Sequence, residues 1–132
     1  MNKELHFAII GCGRIAHRHA QHIHNIGKLV AVCDIVETKA IDLAKQYNAN
    51  PYSSIDGLLQ ENTAIDVVAI CTPNGLHAQH TIKALHAGCH VVCEKPMAIS
   101  TVDCMAMIAA SKNVNKHLFI VKQIIVVLRF KQ

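Results

Sequence analysis

The chain has no tryptophan, and only two tyrosines and three phenylalanines in 132 residues. A groove that stacks nucleic-acid bases needs aromatic platforms among its cations. The cations are also thin: 13 basic against 9 acidic residues give a net charge of +4. Their one concentration, Lys112, Lys116 and His117, is sparse. Nucleic acid is therefore not an expected partner. Apolar runs are short, and none approaches the roughly 18 residues of a membrane span. No membrane partner is expected either. Met1-Asn2-Lys3-Glu4 leads directly into a strand-like run, without the regions of a secretory leader. Three prolines and six glycines exclude a collagenous chain, and 52% apolar residues exclude a disordered one. The length allows one domain. An enzyme with its own substrate module needs about twice as much chain.

Cysteine and histidine are plentiful instead. The six cysteines, Cys12, Cys33, Cys71, Cys89, Cys93 and Cys104, are spread out and mostly sit inside apolar runs. There they act as small buried hydrophobes. That usage fits reduced thiols in the cytoplasm better than a disulfide framework. Ten histidines make the charge pH-sensitive. His17, His19, His22 and His24 crowd one segment, where they are expected to face solvent or pack.

Short apolar runs alternate with helical patterns. Strands are expected at 5–10, 29–33, 65–71, 90–93 and 117–121, with a brief edge element at Pro51-Tyr52. Helices are expected at 14–26, 37–47, 55–60, 76–87 and from about 101 to 111. In the first helix Ala16, Ala20, Ile23 and Ile26 share a face, and Gly27 ends it. Ala40, Leu43, Ala44 and Tyr47 point inward in the second. Ser54 is the expected N-cap of the third, and Ser100 or Thr101 that of the fifth. Strands that alternate with helices build βαβ units. The expected fold is therefore α/β, a Rossmann-type doubly wound parallel sheet in a single domain.

Gly11-Cys12-Gly13-Arg14-Ile15-Ala16 matches G-x-G-x-x-G/A between a strand and a helix. Gly11 permits a tight turn. Gly13 lets a pyrophosphate approach the backbone. Ala16 allows close helix–strand packing, and the helix N-terminus offers unpaired amides. Asp34 ends the second strand, where a carboxylate accepts hydrogen bonds from the ribose hydroxyls. It also repels a 2′-phosphate, and Ile35 follows it with no adjacent cation, so NAD is expected over NADP. A domain that simply needs a tight turn is the competing reading.

Two further segments lie at the carboxyl ends of strands, where open α/β sheets bind ligands. Thr72 and Pro73 would line the cofactor, with Asn74 near the ribose or capping the next helix. His77 faces either the nicotinamide or solvent. His77 and His80 have metal-compatible spacing, but no acid or thiol accompanies them, and no metal is expected. Glu94-Lys95-Pro96 closes the strand at 90–93. Lys95 is placed to donate to a substrate hydroxyl or to support proton transfer. Glu94 is placed to orient the cofactor or to pair with Lys95, and the Lys95–Pro96 bond is a candidate for the cis form. The ordinary alternative for this segment is a solvated strand end.

Taken in order, Ile10 through Ala16, Val32-Cys33-Asp34, Cys71 through His77, and Gly88 through Glu94-Lys95-Pro96 resemble the Gfo/Idh/MocA family of NAD(P)-dependent sugar and inositol dehydrogenases. The resemblance covers residues 5 to about 123. Val121-Lys122-Gln123 is similar to members that oxidise nucleotide-linked amino-sugar uronates. The resemblance implies an active-site role for Lys95 and a cofactor-side position for Asn74. It also implies a second domain that supplies the sugar contacts, a catalytic histidine and the usual oligomer contacts, so no oligomeric state is assigned. The expected division is therefore a dinucleotide-binding domain at 1–121 and an aberrant or truncated tail at 122–132. That tail is β-prone, either extending the last strand or forming a sticky edge. The candidate cofactor-binding set is Gly11, Gly13, Arg14, Ile15, Asp34, Thr72, Pro73, Asn74, His77, Glu94, Lys95 and Pro96. Lys95 is the one candidate catalytic residue. The expected function is the cofactor-binding part of a sugar or nucleotide-sugar dehydrogenase, acting on sugar only if a second domain is supplied. The alternative is a nucleotide-binding or regulatory module without turnover.

Overall fold

The computed structural model describes residues 4–121. The expected tail at 122–132 lies outside the described residues. The elements run β1 (Leu5–Ile10), α1 (Arg14–Ile26), β2 (Gly27–Cys33), α2 (Glu37–Tyr47), β3 (Asn50–Tyr52), α3 (Ile55–Glu61), β4 (Val67–Ile70), α4 (His77–His86), β5 (His90–Glu94), α5 (Thr101–Val114) and β6 (Leu118–Val121). The strands pair in parallel in the order β3-β2-β1-β4-β5-β6. The winding reverses between β1 and β4. The doubly wound parallel sheet expected from the alternating pattern is therefore present.

Each sheet face has its own core. On one, Ala8, Ile10, Val68, Ile70, Val91 and Cys93 pack with Leu58 of α3, Leu85 of α4 and Met107 of α5. On the other, Phe7, Ile9, Val32, Val67 and Ala69 pack with Ala16, Ala20 and Ile23 of α1 and Leu43 of α2. All four residues of β4 are buried, as a near-continuous apolar run in a strand covered on both sides requires. Its regular pairing is shorter than 65–71. The flanks still bond to β1, through Asp66 N–H to the His6 carbonyl at 2.8 Å and Cys71 N–H to the Ile10 carbonyl at 2.7 Å.

Caps set several helix limits. The Gly57 amide donates to Ser54 Oγ at 3.0 Å, and the Asp103 amide to Ser100 Oγ at 3.1 Å. Both serines thus satisfy a first-turn donor. α5 runs past the expected end near Ser111 because its stop is Asn115, left-handed at φ 57°. Asn48 ends α2 in the same way at φ 55°. A 3-10 turn at Asn74–Leu76 precedes α4, so the regular helix starts at His77.

Tyr47 is half-buried and packs against the second core as expected, with its ring 5.6 Å from that of His24. Two expectations need correction. Ile26 is 55% exposed, and the inner face of α1 is completed by His19 instead. Gly27 follows α1, but at φ −174° it is extended and begins β2. What requires glycine there is space: a Cβ would lie 2.5 Å from the Leu5 carbonyl oxygen and 2.8 Å from Phe7 Cε1. Among the described residues no helix is long and apolar enough to cross a membrane.

Gly27→Ala is expected to destabilise the domain by about 1–3 kcal/mol, the usual range for overpacking. Urea unfolding measures it. An unchanged midpoint would show slack between β1 and β2.

Candidate dinucleotide site

The carboxyl ends of β1, β2 and β4 converge where the winding reverses. A cleft of about 740 Å³ opens there. Gly11, just past β1, has φ +93°, and a Cβ on it would sit 2.7 Å from the Cys71 carbonyl carbon. Its amide donates to the Cys33 carbonyl at 2.8 Å. Only glycine combines that dihedral with that approach. Gly13 is different. A Cβ there would meet nothing within 4 Å, so the chain itself has no steric need for glycine. The open space lies at the N-cap of α1, which no side chain caps and whose first turn holds no acid. First-turn amides lack intrahelical partners and carry partial positive charge. Gly13, Arg14 and Ile15 all line the cleft. A pyrophosphate fits these features: unobstructed backbone, amide donors and no acid in the first turn of the helix.

Asp34 holds the adjoining wall. Its Oδ2 accepts from the Cys12 amide at 2.8 Å and its Oδ1 from the Val36 amide at 2.8 Å. It thereby braces the glycine loop against the end of β2. Each carboxylate oxygen keeps another lone pair for a ribose hydroxyl. Thr72 and Pro73 line the opposite wall. The structure thus gathers Gly11, Gly13, Arg14, Ile15, Asp34, Thr72 and Pro73 into one cleft.

The remaining candidates lie outside its lining. Asn74 is exposed at the start of the 3-10 turn. His77 faces neither the cleft nor solvent. It is 1% exposed, with Nε2 2.6 Å from the Thr72 carbonyl oxygen and Nδ1 2.7 Å from that of Pro96. His80 Nδ1 lies 3.1 Å from Thr72 Oγ1, and burial, then the charges of Lys83 and His77, lower its pKa. Both nitrogens of His77 thus face backbone carbonyls, while His80 is engaged through Nδ1. Glu94 contacts His19 Nε2 through Oε2 at 2.5 Å. Its side-chain contact among the described residues is therefore with α1, not with Lys95. Lys95 and Pro96 are exposed and joined by a cis bond.

Several lining residues escaped the motif reading, including Lys39, Ser53, Ser54, Gln79 and His80. Ser53 and Ser54 follow β3, so the strand-end rule that found Thr72 had the means to find them. Lys39 lies in the first turn of α2, beyond the residue directly after Asp34. It brings a cation to the wall where none stood adjacent in sequence.

Cys33 and Cys71 also line the cleft, and Cys12 lies beneath the loop, donating from Sγ to the Cys33 carbonyl at 3.3 Å. Burial, with the Asp34 charge adding to it, pushes Cys12 up to about 12 and Cys33 to about 11. Burial likewise raises Cys71 well above the ordinary thiol value. These groups are protonated packing atoms at neutral pH, not nucleophiles.

The model of an oxidoreductase family with an NAD-binding Rossmann fold, GFO_IDH_MocA, matches residues 5–122. The chain belongs to this family. It is 40% identical to D-glucoside 3-dehydrogenase of Escherichia coli (strain K12) over 118 residues, 86% of this chain and 33% of that protein. It is 32% identical to UDP-N-acetylglucosamine 3-dehydrogenase of Acidithiobacillus ferrooxidans over 110 residues, 83% of this chain and 34% of the relative. Among solved structures, the WlbA dehydrogenase from Chromobactrium violaceum, in complex with NADH and UDP-GlcNAcA, superposes with a TM-score of 0.85 at 38% identity. That match covers 92% of this chain and 36% of the other. The chain thus spans about a third of the length of these relatives. It is an NAD-binding Rossmann domain of the family, and its cleft has the features that cofactor requires.

The raised thiols set an alkaline limit. The unfolded chain releases their protons near pH 9, whereas Cys33, Cys89 and Cys93 keep theirs until about 11 and Cys12 until about 12. The folded state then holds more protons, so stability falls as pH rises through that window. Urea midpoints at pH 8 and pH 10 should show the fall, and Cys89→Ala should make it shallower. An equal pH slope in the variant would contradict this assignment.

Proposed function

We propose that this chain is the cofactor-binding part of an NAD-dependent dehydrogenase acting on a hydroxyl of a sugar or nucleotide-linked sugar. One observation carries the reading. The Gly11–Gly13 turn, the uncapped first turn of α1 and Asp34 share a single cleft where the sheet reverses its winding. When bound, NAD supplies the hydride acceptor. The first turn of α1 offsets pyrophosphate charge, and Asp34 takes the ribose hydroxyls and repels a 2′-phosphate. Thr72 and Pro73 border the nicotinamide side. Lys95, exposed at the end of β5, donates a hydrogen bond to the sugar hydroxyl. An ammonium is a donor only, so the hydroxyl proton needs a second group, which the family resemblance assigns to a second domain.

The named curated relatives are dehydrogenases of D-glucosides and of UDP-N-acetylglucosamine. Two structural neighbours, at 38% and 35% identity, hold NADH with UDP-GlcNAcA. They favour a nucleotide-linked amino-sugar uronate as the substrate class. The six free thiols favour a reducing compartment, the cytoplasm.

Calorimetry with NADH and NADPH tests the cofactor assignment. Wild type should prefer NADH. Asp34→Ala should weaken NADH roughly tenfold, the worth of hydrogen bonds to a charged group, and narrow the NADH/NADPH ratio. Both constants belong at one ionic strength, since salt screens the charge effect. An unchanged ratio would remove Asp34 from the ribose. Turnover tests the division of labour. The 132-residue chain with UDP-sugars and NAD should form no NADH. Robust turnover abolished by Lys95→Ala would overturn the proposal that sugar contacts lie elsewhere.

A further inference from the structure

The loops that leave β4 and β5 have different relations to the cleft. Thr72 and Pro73 line it, whereas Glu94, Lys95 and Pro96 do not. His77 spans the two loops, with Nε2 2.6 Å from the Thr72 carbonyl oxygen and Nδ1 2.7 Å from the Pro96 carbonyl oxygen. A carbonyl only accepts. A ring with one N–H serves one loop at a time, and a ring with both serves the two together. The imidazole is 1% exposed at the start of α4, beside the packed core that includes Ala84 and Leu85. Held between the two carbonyls, the ring meets a displacement of either loop. On the opposite face, His19 of α1 holds Glu94. Lys95 lies between the two anchored neighbours.

We propose that His77 is a positioning residue that ties the Lys95–Pro96 loop to the cofactor loop, so that filling the cleft sets the place of Lys95. This rests on the NAD reading above. Satisfied packing alone is the competing account, and it makes a different prediction: a core histidine steadies the fold without carrying a signal from cleft to Lys95.

The Met97 amide shares its peptide group with the Pro96 carbonyl, and so reports that hydrogen bond. In a 15N-labelled chain titrated with NADH, the Met97 amide should shift together with those of Gly13 and Thr72, with one dissociation constant. In His77→Phe, the Gly13 and Thr72 shifts should persist and the Met97 response should vanish. His77→Gln keeps a donor and should restore part of it. The Gln variant also carries the test if the Phe variant does not fold. A full Met97 response in the variants, or none in wild type while Gly13 responds, would overturn the proposal. If Gly13 and Thr72 do not respond in wild type, the NAD reading fails instead. The tie is then judged without cofactor: each substitution must displace both the Met97 and Thr72 amides, and unchanged positions would overturn it.

Discussion

Gly11 sits at the end of β1, against the ends of its two neighbouring strands. Its amide bonds to the end of β2, and its α-carbon presses against the peptide that follows β4. No side chain fits between them. That contact lets β1 stop short and α1 start immediately, which leaves the first turn of α1 above the sheet edge. The cleft is the space left when strands on either side of the turn lead away to opposite sheet faces. Asp34 and the buried thiols secure the same junction from the β2 side. The carboxylate holds two backbone amides, and the thiols fill volume without bringing charge.

The far end of the site is built differently. Lys95 is not packed into the cleft but carried on a short loop, with neighbouring groups held by histidines from the two sheet faces. That arrangement suits a residue whose partner is a substrate rather than the dinucleotide.

Much of this was legible in the sequence because its physics is local. Val67–Ile70 reads as a buried strand since both neighbours must cover it, and Ser54 and Ser100 read as caps since each satisfies an amide three residues on. The glycine spacing fixes a turn. What escaped depends on contacts between distant segments. The burial of His19 goes with a contact to Glu94, far along the chain. Gly27 resembles a helix stop until Leu5 and Phe7 are seen beside it. His77 carried the same motif position as a cofactor contact, and its ring turned out to bridge two backbone carbonyls. Lys39 was overlooked because one helical turn brings it to a wall that its sequence separation from Asp34 did not suggest.

The central claim is that the space at Gly13 exists for a pyrophosphate and for nothing in the protein. Gly13→Ala isolates it, because the added methyl meets no protein atom within 4 Å. The variant should unfold at nearly the wild-type urea midpoint yet bind NADH at least about tenfold more weakly, the cost of forcing a methyl into a filled contact. Unchanged NADH affinity in a stably folded Gly13→Ala chain would contradict the account.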